Sequence, residues 1–450
     1  MDRFPANGFA GVSNEVNTTS YWKQGEDHEK PRNPGIRRRQ HAGTSLSADG
    51  GTDMKRHKIT AAVRAGIDTE QQYGSVMPPV YLSSNYNFEG LGGKREYDYS
   101  RSGNPTRDLL GKAIAELEGG HGAVVTNTGM SAVVLVTFLL KAQDSVIVPH
   151  NCYGGCYRAF SSLSQAGRFK TRFVDFTVPG EVRRACLQQR PKIIWVETPS
   201  NPLLRITDIR AMADIAAEFG ALLVVDNTFL TPLLQQPLEH GADIVVHSTT
   251  KYINGHSDVV GGAVVARDPQ LLEELSWWAN CVGSSASPWD CNQTLRGLRT
   301  LHARMRCHEE NTRAVIEVLA NHAAVHRVHY PGLRSHPDHL LAQAQQTGFG
   351  AVISFELLGG ETGLCAFLDG LRHFTLAESL GGVESLVCHP ASMTHAAMAE
   401  DAQRDAGIGP DLLRLSVGIE HAADLAADIS AGLERTRMVA EPGLRIARYA

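Results

Sequence analysis

Residues 145–148, 192–196, 221–225 and 244–246 are short runs, apolar almost throughout, and segments of helical period such as Ile209–Phe219 separate most of them. Strands read this way when both faces of their sheet are covered, because few positions then face water. Alternating with helices, they call for a mainly parallel sheet wrapped on both sides, an α/β fold. Upstream, Pro105-Thr106 opens a segment with Leu109, Leu110, Ala113, Ile114 and Leu117 at helical spacing, and Gly119-Gly120 stops it. Past residue 310, a helical segment, a Tyr330-Pro331-Gly332 turn, a strand-like piece at 351–355 and further helices predict a smaller α+β domain. The expected order is a polar extension over 1–57, an arm over 58–105, a large domain over 106–309 and a C-terminal domain over 310–450.

Composition then excludes some functions. With 43 Lys+Arg against 48 Asp+Glu the net charge is −5, so no bulk field draws the chain to nucleic acid or to an acidic membrane. The longest apolar stretch, near 132–140, falls well short of the ~18 residues of a membrane span. Residues 1–57 carry Arg37-Arg38-Arg39 and no hydrophobic period, so they cannot offset the entropy of ordering and are expected to be disordered. Eight cysteines form no CxxC unit, and no apolar signal core follows Met1. Reduced thiols in the cytoplasm are the expectation.

Chemistry gathers at the strand ends. Val225-Asp226-Asn227-Thr228 closes one strand, where open α/β sheets collect ligands, although a lone Asp there often just caps a helix. The strand at 243–246 runs into His247-Ser248-Thr249-Thr250-Lys251. Hydroxyls beside a lysine can bind phosphate while the amine forms an imine; a lysine by itself is usually a solvated loop residue. Thr126-Asn127-Thr128-Gly129-Met130-Ser131 leads into a helix expected over 131–140, whose leading N–H groups suit phosphate. Tyr153, in Cys152-Tyr153-Gly154-Gly155, has a ring able to stack on a flat heteroaromatic or simply to fill a loop.

In this order, and together with Tyr99-Ser100-Arg101-Ser102-Gly103-Asn104-Pro105-Thr106, Glu197-Thr198-Pro199-Ser200-Asn201-Pro202 and the segments 251–258, 377–386 and 413–420, these elements resemble a known family. It is the Cys/Met-metabolism enzymes that depend on pyridoxal 5'-phosphate, of fold type I (aspartate-aminotransferase-like). The likeness is greatest to their bacterial γ-synthase branch and runs over about residues 60–435. The resemblance implies that Lys251 holds the cofactor as an imine and shuttles protons, with Asp226 on the pyridine nitrogen and Tyr153 stacked on the ring. Gly129, Met130, Ser248 and Thr250 would hold the phosphate. Tyr99 and Arg101 would reach it from a neighbouring subunit, which makes the 58–105 arm a subunit contact, requires a homodimer and points to a homotetramer. Arg414 with Ser379 would clamp the substrate carboxylate, and Asn201 would lie near the cofactor oxygen and substrate.

The reaction implied is γ-replacement, in which an O-acyl-L-homoserine (succinyl or acetyl) and L-cysteine give L-cystathionine, a transsulfuration step toward methionine. Glu378 would meet the substrate or incoming amino group, and Asp98 and Arg158 its distal part. Ser102 stands where succinyl-using relatives often carry a second arginine, which brings the acetyl ester forward. Cystathionine γ- or β-lyase, O-acylhomoserine sulfhydrylase and methionine γ-lyase chemistry are the alternatives, with a non-catalytic cofactor-binding regulator as the reading from another class. No GxGxxG or GxxxxGK[ST] follows a strand, which disfavours dinucleotide and P-loop chemistry. His322, His326 and His329 read as a surface cluster rather than a metal site, with His326 and His329 expected on opposite faces of a strand. Cys152 and Cys156 read as packing thiols.

Overall fold

The computed structural model describes residues 56–447, so the expectation for 1–57 lies outside the described residues except at Arg56 and His57. Seven strands form the larger sheet: β1 Gly122–Thr126, β2 Ser145–Pro149, β3 Lys170–Val174, β4 Ile193–Glu197, β5 Leu222–Asp226, β6 Ile244–His247 and β7 Gly262–Ala266. Their spatial order is β1-β7-β6-β5-β4-β2-β3. All pairings from β6 to β3 are parallel, and only β7 runs against its neighbours β1 and β6. Alternate side chains feed two cores. Ile194, Val196, Val225 and Val245 enter one, and Ile193, Trp195, Val224 and Val246 enter the other. The unbroken apolar runs thus have a direct cause, since both faces are covered.

A second sheet contains β8 Val325–His329, β9 Val352–Leu357, β10 Thr375–Leu376, β11 Leu386–Cys388 and β12 Leu412–Ser416, in the order β10-β11-β12-β9-β8. Helices Leu301–Ala320 and Gly360–Leu368 pack on it, and the helix Ala422–Ala447 packs against both. The helix Leu301–Ala320 runs unbroken through 309/310, where the two domains were expected to meet. Between Lys58–Val63 and Pro105–Glu118 the chain is largely irregular and leaves Tyr73, Val76, Leu82 and Leu91 exposed.

The histidine expectation needs one correction. A bulge between Val325 and Arg327 shifts the β8 register, so His326 and His329 both face Glu356 rather than opposite sides. His322 pairs instead with Glu434, and no metal-holding group of three occurs among the described residues. Nor is any helix among them long and apolar enough to cross a membrane.

Candidate active site

A parallel sheet leaves the carboxyl ends of its strands side by side, and loops leaving that edge converge. Here Glu197 at the end of β4 is in register with Asp226 at the end of β5, which is in register with Val246 of β6. A cavity of about 390 Å³ opens at this edge. Of the residues expected there, Gly129, Met130, Tyr153, Asn201, Asp226, Ser248, Thr250, Lys251, Glu378, Ser379 and Arg414 line it.

One wall is the helix Gly129–Thr137, which starts two residues earlier than expected because Thr128 caps it: the Ser131 N–H donates to the Thr128 hydroxyl at 2.8 Å. Gly129 is needed for a close approach. A Cβ there would lie 2.8 Å from Ser248 Oγ and close the space between the helix N-terminus and the 248–250 turn. The Thr250 hydroxyl is fixed by the Gly261 backbone, with an N–H donated to it at 2.9 Å.

Asp226 sits on the floor. Burial raises its carboxyl pKa, while the Thr228 N–H, 2.9 Å away, and the nearby His247 pull it back down. On the opposite side of the strands, His247 Nε2 meets Glu118 Oε1 at 2.6 Å, both side chains fully buried, and Asn227 Nδ2 donates to the same oxygen at 2.8 Å.

Lys251 Nζ donates to Ser379 Oγ at 2.8 Å. Burial, reinforced by the Arg414 charge, pulls its pKa down to about 8. The turn that carries it is held by buried Arg304, which donates to the carbonyls of Tyr252 at 2.7 Å and Gly297 at 2.8 Å. From the second sheet, Arg414 in β12 is 2% exposed and donates to Asn201 Oδ1 at 2.8 Å and the Ser379 carbonyl at 2.9 Å. Its Nε has no partner, and no carboxylate pairs with it among the described residues. Ser379 itself is held at φ 132°, a left-handed backbone rarely adopted by a side-chain-bearing residue.

Four expected residues are not among the cavity's lining. Tyr99 is half exposed with the Arg101 guanidinium over its ring, and Arg101 Nε donates to Asn280 Oδ1 at 3.0 Å. Asp98 pairs with Lys94 and accepts the Ser102 hydroxyl, and Arg158 lies exposed on the helix Gly154–Gln165. Conversely, Glu197 and Thr228 line the cavity although no role was assigned to them from sequence, and so does Cys156, read there as a packing thiol. Glu197 is buried, and burial with Asp226 alongside raises its pKa to about 7. Its place could have been found by noting that it and Asp226 each end an apolar run.

Pyridoxal phosphate fits these residues. A side-chain-free cradle at Gly129 joins a helix N-terminus to a hydroxyl-bearing turn, which suits a phosphate. A buried amine with a lowered pKa shares the cavity with a carboxylate that no cation pairs with among the described residues, which suits an aldehyde next to a basic ring nitrogen.

Comparison with known proteins agrees with this chemistry. The family model described as "Cys/Met metabolism PLP-dependent enzyme" matches residues 59–434. The chain is 53% identical to cystathionine gamma-synthase of Escherichia coli (strain K12) over 84% of its own length and 98% of that protein. To cystathionine gamma-lyase of Bacillus subtilis (strain 168) it is 45% identical, over 84% of its length and 99% of the relative. A solved cystathionine gamma synthase from Xanthomonas oryzae pv. oryzae, in complex with aminoacrylate and cysteine, superposes with a TM-score of 0.84 at 60% identity. That match covers 85% of this chain and 99% of the other. The chain belongs to the Cys/Met-metabolism family of pyridoxal-phosphate-dependent enzymes, with the fold-type-I architecture and the cofactor of that family.

Proposed function

We propose that the enzyme catalyses γ-replacement, joining L-cysteine to an O-acyl-L-homoserine to give L-cystathionine and the free carboxylic acid. The Cγ–O bond of the ester breaks, a Cγ–S bond forms, and the thiol proton leaves with the acid. The observation that carries this reading over the lyases is the 53% identity to a gamma-synthase across nearly its whole length, against 45% to a gamma-lyase.

Pyridoxal phosphate, when bound, supplies an electron sink for negative charge at the substrate carbons. Asp226 would hold a proton at its ring nitrogen, Gly129, Met130, Ser248 and Thr250 would hold its phosphate, and Tyr153 would cover its ring. Lys251 Nζ, its pKa pulled down to about 8 by burial, takes the proton from substrate Cα and moves it onward. Ser379 orients that amine through its hydroxyl. Arg414 binds the substrate carboxylate with a planar fork that Asn201 and the Ser379 carbonyl already hold in place. Glu378, exposed at the cavity mouth, meets the ammonium of the incoming amino acid.

Tyr99 and Arg101 serve the site of a neighbouring subunit, and the 58–105 arm is the contact that places them. Their position away from the cavity and the exposed apolar residues of the arm support this. Asp98 and Arg158 face the distal part of the ester, with the acetyl ester favoured by Ser102.

The test is to incubate the protein and pyridoxal phosphate with cysteine and each homoserine ester, then identify products by mass spectrometry. Cystathionine is the expected product. Faster cleavage of supplied cystathionine than its synthesis would replace this reading with a lyase.

A further inference from the structure

We propose that Glu197 is a positioning residue that holds Tyr153 at the cofactor face, acting as a helix cap supplied from a different strand. Tyr153 is the N-cap of the helix Gly154–Gln165, and its side chain makes no capping hydrogen bond. A cap residue normally satisfies the orphan donors of the first turn, and an aromatic ring cannot. Glu197 substitutes for part of that role: its Oε2 accepts the Tyr153 N–H at 2.7 Å. Its other oxygen is tied down by Trp195 Nε1 at 3.2 Å, and Trp195 is fully buried. The carboxylate, 6% exposed, is therefore anchored to its own strand through one oxygen and holds the Tyr153 backbone with the other.

The ring follows the backbone. A Cβ on Gly155 would fall 2.5 Å from Tyr153 Cε1, so the ring lies close over the glycine that follows it in the first turn. On the other side, a Cβ on Gly154 would lie 2.4 Å from the Thr394 carbonyl, so the same turn packs closely against the segment around Thr394. With its backbone pinned by Glu197 and its edge against Gly155, the ring is positioned by contacts within the protein. Glu197 is in register with Asp226, so the strand that fixes the covering ring lies beside the one that carries the floor.

The inference rests on the reading of Tyr153 as the ring covering the cofactor, and the test separates the two. In the holoenzyme, visible circular dichroism per bound cofactor reports the asymmetry that the ring imposes. In the cofactor-free protein, amide hydrogen exchange over 150–157 reports the capping bond. Glu197→Ala should lose most of the visible dichroism and speed exchange at the Tyr153 amide by roughly 10-fold or more, the loss of one charge-assisted hydrogen bond. Glu197→Gln, whose single amide oxygen accepts the Tyr153 N–H while its NH2 faces the Trp195 indole N–H, should keep the exchange protection within about twofold and lose only part of the dichroism. Unchanged dichroism in Glu197→Ala, where Tyr153→Ala does alter it, overturns the proposal for Glu197 alone. Unchanged dichroism in Tyr153→Ala removes the reading of the ring itself. If Glu197→Ala does not fold, the wild-type protein still decides: a fast-exchanging Tyr153 amide overturns the proposal, and a protected one that Glu197→Gln preserves upholds it.

Discussion

Lys251 donates its hydrogen bond to Ser379, a residue 128 positions away in sequence that the chain holds at φ 132°. The contact joins the amine from the large sheet to a loop at the edge of the small one, and it is made by a residue in a conformation that costs about 1–3 kcal/mol. Ser379→Gly should relieve that strain, minus about 0.5–1 kcal/mol for glycine's greater freedom when unfolded. A higher thermal midpoint with a lower turnover is the expected pair of results. A lower midpoint would show that the backbone is not strained.

The depressed Lys251 pKa gives a pH prediction. An amine must be neutral to attack an aldehyde, and the neutral fraction grows as pH rises toward the pKa. Capture of pyridoxal phosphate by cofactor-free protein should therefore accelerate up to pH about 8 and level off above it. Stopped-flow absorbance measures this directly. A rate still climbing at pH ~10, where ordinary lysines titrate, would contradict a buried, cation-flanked amine.

Arg414 offers a cleaner separation of binding from cofactor retention. Arg414→Lys keeps a charge but loses the two-pronged geometry, and Arg414→Ala loses both. Two charge-assisted bonds at about 1.5 kcal/mol each predict a drop in kcat/KM of roughly 100-fold for Arg414→Ala. The absorbance of the bound cofactor should persist, since the proposed cofactor contacts do not include Arg414.

Shared sites predict complementation. Arg101→Ala and Lys251→Ala subunits would each be inactive alone, yet a mixed dimer carries one intact site. Mixing them after denaturation and refolding should restore activity at roughly a quarter of wild-type sites. No recovery, with mixed dimers demonstrated by mass, would place Arg101 in the site of its own subunit rather than its neighbour's.

The pair Glu118–His247 underlies the floor from the opposite side of the sheet. Both side chains have no exposed surface, so removing one partner strands the other. Glu118→Ala should destabilise the fold by about 3–5 kcal/mol, read as an earlier thermal or denaturant transition.

Much of this arrangement was legible before any coordinates. The inner strands β2, β4, β5 and β6 appear within a residue or two of the apolar runs that predict them, because a sheet covered on both faces writes itself into sequence without ambiguity. Strand β3 did not: as the sheet edge, with Lys170, Thr171 and Arg172 in five residues, it lacks the apolar signature. Strand β7 is short, begins with glycine and runs antiparallel, so the βαβ rhythm gave no place for it. Among candidate site residues, Asp226 and Lys251 were weak signals singly, a strand-end acid and a lysine among hydroxyls, and stood out only through their order and spacing with Gly129 and Tyr153 and through the family resemblance. Glu197 was hidden because its partner is the backbone N–H of Tyr153, 44 residues earlier, and no sequence pattern encodes such a bond. The β8 bulge hid the approach of His326 to Glu356 in the same way, by breaking the two-residue period on which strand faces are read.

The cavity draws Gly129, Asp226 and Lys251 from the side of the larger sheet, and Ser379 and Arg414 from the loop after β10 and from the central strand β12 of the smaller one. Any molecule bound in the cavity stabilises the folded state that forms it, and its saturation becomes a lever on the life of the polypeptide. By mass action, a ligand at a hundred times its Kd adds about 2.7 kcal/mol to the folded state. Starvation for cofactor would then reach the enzyme twice, first as lost turnover and again as a shorter-lived chain more readily cut by proteases.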